Sequence, residues 1–164
     1  MDDIVRDLGL LGLGTRLRRL GERLQAETQE VLDGLEPRVP ASQHPLLAAI
    51  DRYGSLSVGQ LAQALGVTQP GVTRAVGELV EAGLVEVAAA PDDGRRRMLA
   101  LTDAGKAFVE AARAKAWPRV ERAVADLCDG FGDELLQHLA VLEDRLAERP
   151  LRVRARAGGG GRAA

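Results

Sequence analysis

A single glycine inside an otherwise helical pattern fixes what residues 57 to 102 can become. In SVGQLAQALGVTQPGVTRAVGELVEAGLVEV, apolar residues recur at helical spacing on both sides of Gly66. Glycine takes the left-handed conformation that ends a helix at no steric cost, so the segment must fold as two helices with a turn at Gly66 and Val67. Ser57 with Gln60 three positions on is a capping box, which starts the first helix at Val58 and carries it to Leu65. Thr68 caps the second, and Pro70 falls in its first turn, where no amide hydrogen is required. Within this second helix Val72, Ala75, Val76 and Leu79 make one face to be buried, and Gly83 ends it.

The opposite face carries Thr68, Gln69, Pro70, Gly71, Thr73, Arg74 and Glu78. Arginine pairs bidentately with guanine and glutamine with adenine, so Arg74 and Gln69 are the candidate base readers. Thr68, Thr73 and the open amides of the helix start suit phosphates, with Pro70 at the tip that enters a groove first. An amphipathic helix with one arginine is equally what an ordinary solvated helix looks like, and residues 84–102 decide between the two. LVEVAAA and RMLALT read as two short strands, and PDDGRRR between them carries proline and Asp-Gly turn signals. Helix, helix, hairpin is a winged helix-turn-helix, mainly α with a small β-hairpin wing.

Three successive arginines on the second arm must face solvent or a partner; the plainer reading is an edge strand charged against aggregation. Asp93 stands two residues before Arg95, as in an ion pair shaping the turn and worth about 0–1 kcal/mol when exposed. Arg95 is the candidate for the minor groove or its flanking phosphates, with Arg96 and Arg97 as phosphate contacts or strand-face charges.

From Ser57 to Thr102 these residues resemble the winged helix of MarR-type regulators. The likeness rests on the Thr-Gln-Pro start at Thr68, the Leu-x-x-x-Gly-Leu-Val exit from Leu79 to Val85, and the wing pattern of Asp93, Arg95, Leu99, Leu101 and Thr102. The resemblance implies a DNA-binding transcriptional regulator: a homodimer on duplex operator DNA with two half-sites, often released by a small-molecule effector. The stretch LGLGTRLRRLGERLQ also resembles the MarR-like half of proteins fused to a GNAT acetyltransferase, for which 164 residues leave no room. The alternative function is therefore a winged-helix interaction module that does not bind DNA.

The flanks carry helical seams. Leu10, Leu13, Leu17, Leu20 and Leu24 alternate steps of three and four, although Gly9, Gly12, Gly14 and Gly21 each weaken such a helix by roughly 1 kcal/mol relative to alanine. Thr102 caps the helix after the wing. Phe108, Trp117, Val120, Val124, Leu127 and Phe131 form its seam, with a kink expected at Pro118. After Gly130 and Gly132, Leu135, Leu139, Leu142 and Leu146 stripe a last helix. These stripes either pack on the winged helix within one chain or join two chains, and three of them exceed what one small winged helix can cover, which favours dimerisation. The expected organisation is one domain over 1–150, with 1–40 and 103–149 as helical dimerisation extensions around a winged helix-turn-helix at 41–102. Residues 151–164, with four arginines, no acidic residue and four consecutive glycines, read as a disordered basic tail, either a DNA-attracting arm or an inert solubilising end.

Composition removes other classes of function. The formal net charge is −2, and residues 54–106 hold five basic against six acidic side chains, so no global basic field exists and any DNA contact is built locally. No apolar run approaches the roughly 20 residues of a membrane span, and the start MDDIVRD is unlike a signal peptide, so a cytoplasmic protein without a membrane partner is expected. The lone Cys128 excludes an internal disulfide and reads as a small buried hydrophobe. His44 and His138 are the only histidines and neither pairs with a nucleophile in sequence, while Asp92 with Asp93 and Glu143 with Asp144 are adjacent and diverge. No enzyme, metal or cofactor is expected. The candidate ligand pocket is placed near Tyr53 and Trp117, where the flanking helices meet the winged domain.

Overall fold

The computed structural model describes residues 3–89 and 97–158, and its backbone divides into two compact units, Met1–Val120 and Glu121–Ala164. In the first, helix α1 (Ile4–Asp7) and a 3-10 turn (Gly9–Gly12) lead into α2 (Leu13–Leu32). A second 3-10 turn (Ala41–Gln43) opens α3 (His44–Tyr53), followed by α4 (Val58–Leu65) and α5 (Gln69–Glu81). Strands β1 (Val85–Ala89) and β2 (Arg97–Leu101) precede α6 (Asp103–Ala111). A π turn over Ala112–Ala116 joins α6 to α7 (Trp117–Cys128), and the second unit continues with α8 (Gly132–Glu148) and α9 (Leu151–Gly158). This is the expected mainly helical fold with one hairpin.

The core of the first unit gathers one face from each element: Leu47 and Ile50 of α3, Leu61 of α4, Val72, Val76 and Leu79 of α5, Leu84 and Val85, Leu99 and Leu101 of β2, and Phe108 and Val109 of α6. Each such side chain contributes about 1.5–3 kcal/mol by leaving water. The strands pair antiparallel with Val85 opposite Leu101 and Val87 opposite Leu99, so alternation sends Leu99 and Leu101 inward. Leu56 adds a bridge on the other edge of β2, its N–H 3.0 Å from the Leu99 carbonyl and its carbonyl 2.7 Å from the Leu99 N–H. A second cluster of Leu32, Ala41 and Ala116 seats α2 against the π turn, and Gln29 fixes that packing by accepting from the Ala41 N–H at 2.7 Å.

Two expectations about the flanks are corrected. The amino-terminal seam is not one helix from Leu10. Gly9 adopts φ +53 and interrupts the chain, so α1 folds back on α2 and Asp3 receives both Nη groups of Arg19, at 3.2 and 2.7 Å. Gly12 makes the fold-back feasible, because a Cβ there would stand 2.5 Å from the Val5 carbonyl oxygen. After Val120, where the second compact unit begins, lies the rest of the seam expected from Phe108 to Phe131. There the seam side chains stand open, Leu127 at 62% and Phe131 at 52% exposure, whereas Phe108 is buried in the first unit's core. The tail expected to be disordered is helical over Leu151–Gly158, and Arg154 reaches back to donate to the Arg149 and Arg145 carbonyls at 2.7 and 2.5 Å, satisfying the free end of α8. The rest of the basic tail, 159–164, lies outside the described residues. The disturbance expected at Pro118 takes the form of the π turn just before it, which relieves the clash of the ring with the carbonyl four residues back.

Candidate nucleic-acid interface

The sequence builds the helix-turn-helix through its caps. Ser57 Oγ accepts from the Gln60 N–H at 3.2 Å and Gln60 Oε1 accepts from the Ser57 N–H at 2.9 Å, a reciprocal capping box. Gly66 closes α4 in the left-handed region at φ 65 and ψ 26, and the Val67 N–H donates to the Ala62 carbonyl at 3.1 Å. This turn aims α5. Thr68 Oγ1 caps it by accepting from the Gly71 N–H at 3.4 Å, with Pro70 in the first turn as expected. Because Val72, Val76 and Leu79 are buried, helical geometry turns Gln69, Pro70, Thr73 and Arg74 outward, and these four and Thr68 are all exposed.

Local contacts then divide the tasks among these side chains. The Thr73 hydroxyl donates to the Gln69 carbonyl at 2.9 Å, so its hydrogen is engaged within the helix and its methyl is left outward. The Thr68 hydroxyl accepts at the cap and keeps its own hydrogen for a partner. Arg74 Nε lies 3.9 Å from Glu78 Oε1 in an exposed pair one turn apart. Gln69 leans toward α4, its Nε2 lying 3.6 Å from where a Cβ on Gly59 would stand.

The wing is tied to α5 at its base. Leu84 N–H donates to the Leu79 carbonyl at 3.0 Å, and the Thr102 N–H donates to the Leu84 carbonyl at 3.1 Å. The Thr102 hydroxyl donates to the Gly83 carbonyl at 2.7 Å while accepting from the Gly105 N–H at 2.9 Å. One threonine thus joins the end of α5, the hairpin and the start of α6. Arg97 pairs opposite Ala89 at the outer end of the described hairpin, on the same strand face as Leu99 and Leu101 but exposed beyond the core. Arg95 and Arg96, with Asp92 and Asp93 and the ion pair expected between Asp93 and Arg95, lie outside the described residues.

Tyr53 and Trp117, expected to line one pocket, are not brought together. Trp117 Nε1 donates to His44 Nδ1 at 2.9 Å at the first residue of α3, whereas Tyr53 is the last. At about 1.5 Å rise per residue the two ends of this helix are ~13 Å apart. Tyr53 is exposed with Arg52 against its ring, and Arg113 both approaches the Trp117 ring and pairs with Asp51. Burial holds the His44 imidazole below its ordinary pKa, opposed by its hydrogen bond to the Val39 backbone. The ring is therefore a neutral core member, with Phe108 at 5.6 Å between centroids.

Three further participants escape a reading of the sequence. Gln43 donates through Nε2 to Glu78 Oε2, joining the start of α3 to α5. Gly105 lets α6 approach the Leu84 carbonyl. Leu56 extends the sheet. Only Leu56 carries a signal in sequence, the polar–apolar–polar alternation of Ser55, Leu56 and Ser57.

Comparison with known proteins agrees with this geometry. A MarR family model matches residues 34–96. An uncharacterized protein of Mycobacterium tuberculosis is 32% identical over 155 residues, covering 91% of this chain and 99% of that protein. Among solved structures, the transcriptional repressor CouR bound to a 23-mer DNA duplex superposes with a TM-score of 0.70 at 25% identity, covering 83% of this chain and 96% of that one. A mutant MarR from E. coli complexed with operator DNA gives 0.71 at 22% identity, over 88% and 99% of the two chains.

Proposed function

The chain belongs to the MarR family of winged helix-turn-helix regulators, and from that premise we propose that it binds duplex operator DNA as a homodimer, with α5 in the major groove and the wing at the minor groove or its flanking phosphates. The observation that carries this reading is the amino-terminal tip of α5. Its backbone is fixed by two consecutive caps, and Thr68, Gln69, Pro70, Thr73 and Arg74 are all exposed there. Arg74 reads guanine and Gln69 adenine; the Thr68 hydroxyl takes a phosphate, and the Thr73 methyl meets a thymine methyl. Arg95, Arg96 and Arg97 serve as the wing's contacts. Because the arginines are few and the chain is acidic, affinity is modest and falls steeply with salt.

Dimerisation is supported by apolar surface that one chain leaves open: Leu10 and Leu11 are 88% and 83% exposed, and Leu17 and Leu20 also face outward. A dimer places two recognition helices about 34–36 Å apart, one helical turn of DNA. A small-molecule effector that weakens DNA binding belongs to the same reading. The role is regulatory and not catalytic, and it is exercised in the cytoplasm, where the operator is. No described helix is long and apolar enough to cross a membrane.

The test is a gel shift on the DNA upstream of the protein's own gene, with Arg74→Ala and Arg95→Ala beside the unaltered chain. Both variants are expected to lose binding. Undiminished binding by both would sink the assignment, and no binding at low salt would favour an interaction module.

A further inference from the structure

The two buried polar side chains among the described residues are consecutive, Gln43 at 5% and His44 at 6% exposure. His44 is accounted for by Trp117 and Val39. Gln43 is directed at α5, where its Nε2 donates to Glu78 Oε2. It stands at the cap position of α3 yet makes no side-chain capping bond, so its amide is free for this partner. The anchor is rigid on both sides: the Gln43 N–H donates to the Pro40 carbonyl at 2.8 Å, and the next residue is clamped by the indole. A buried amide on so fixed a backbone does not follow the carboxylate; the carboxylate comes to it.

Glu78 is one turn from Arg74, and its second oxygen, Oε1, lies 3.9 Å from Arg74 Nε. From this geometry we infer that Gln43 is a positioning residue for base reading: by holding Glu78 against the scaffold it keeps the carboxylate beside the Nε edge of Arg74 and leaves both Nη groups free for a base. Arginine reads guanine with paired donors, and a carboxylate free to swing one turn along the same helix competes for those donors. Gln43 thus acts through Glu78 and touches no DNA. The inference rests on the proposal that Arg74 reads a base.

The test separates the two. A random duplex pool is selected with the unaltered full-length chain, and the best sequence and its single-base variants are then titrated at two salt concentrations. Arg74→Ala is expected to lower discrimination at one base pair per half-site about tenfold. Gln43→Met, which keeps the volume and removes the amide, is expected to lower discrimination at that same pair about threefold, with the other positions and the salt dependence unchanged. Glu78→Gln, on an exposed residue that does not endanger folding, removes the competing carboxylate itself, so adding Gln43→Met to it should cost no further discrimination. Adding Gln43→Met to Arg74→Ala should change nothing further, as for residues acting in series. An equal loss at every position would reduce Gln43 to a packing residue and overturn the inference. If Arg74→Ala flattens the profile while Gln43→Met does not, or if Gln43→Met costs as much on the Glu78→Gln background as alone, base reading stands and the positioning role falls. If no sequence is enriched, or Arg74→Ala leaves the profile intact, both fall together.

Discussion

Replacing Gly105 by alanine tests whether the wing and α6 are held by one close contact. Gly105 lies in the first turn of α6, where helix propensity alone makes glycine-to-alanine stabilising by up to about 1 kcal/mol. The structure opposes this. A Cβ at position 105 would stand 2.0 Å from the Leu84 carbonyl oxygen and 3.0 Å from its carbon, and the obstacle is backbone, which cannot turn aside. Helix α6 must therefore retreat by roughly 1 Å or more to restore van der Waals distance. The same Leu84 carbonyl accepts from the Thr102 N–H, and the Thr102 hydroxyl donates to the Gly83 carbonyl, so the retreat strains both bonds. Losing two hydrogen bonds at about 1 kcal/mol each, and overpacking by about 1–3 kcal/mol, against about 1 kcal/mol gained, leaves a net loss of about 2–4 kcal/mol. Urea unfolding measures it as a lowered midpoint at constant slope. Gly77→Ala, in α5 with nothing within 4 Å, is the control and should raise the midpoint. A midpoint for Gly105→Ala equal to or above that of the unaltered chain would refute the reasoning.

Other perturbations reach different parts of the molecule. Gly66→Ala places a side chain at φ 65, and the left-handed penalty of about 1–2 kcal/mol should appear in the same unfolding assay. Gly12→Ala, whose Cβ would lie 2.5 Å from the Val5 carbonyl oxygen, should detach α1 and expose residues 5–11 to limited proteolysis while the urea midpoint of the core holds. His44 is held below its ordinary value of 6.5 by burial, so the unfolded chain takes up the proton more readily than the folded one. Its contribution is complete above the unfolded value and is lost as pH falls from there toward the lower folded value. The midpoint should drop as pH falls below about 6.5, and His44→Gln should flatten that segment of the pH profile.

The elements of the interface were legible in the sequence because local chemistry dictates them. Ser57 with Gln60, Gly66, Thr68 and Pro70 each impose a cap or a stop that depends on near neighbours alone, and each is where the sequence put it. The apolar face of Val72, Val76 and Leu79 comes from helical period, and the exposure of Arg74 comes from that face. The flanking helices were less legible. A leucine seam states that a face is to be buried and not against what, so the period alone did not show that Gly9 breaks the first helix or that the chain divides after Val120. The helix in the basic tail was not legible, because composition registers neither its backbone bonds nor the contact of Arg154 with the end of α8.

What the sequence by itself determined is the order and chemistry of the parts: two capped helices, a hairpin with arginines, and apolar stripes on either side. Only the tertiary structure decided which distant residues meet. Gln43 finds Glu78 35 positions away; Trp117 finds His44 and not Tyr53; Gly105 is required by a carbonyl that belongs to the turn after α5. Caps and periods act within a turn or two of chain and are written in adjacent letters. Packing joins residues whose separation in sequence carries no trace of their separation in space, and the aim of Arg74 depends on such a contact.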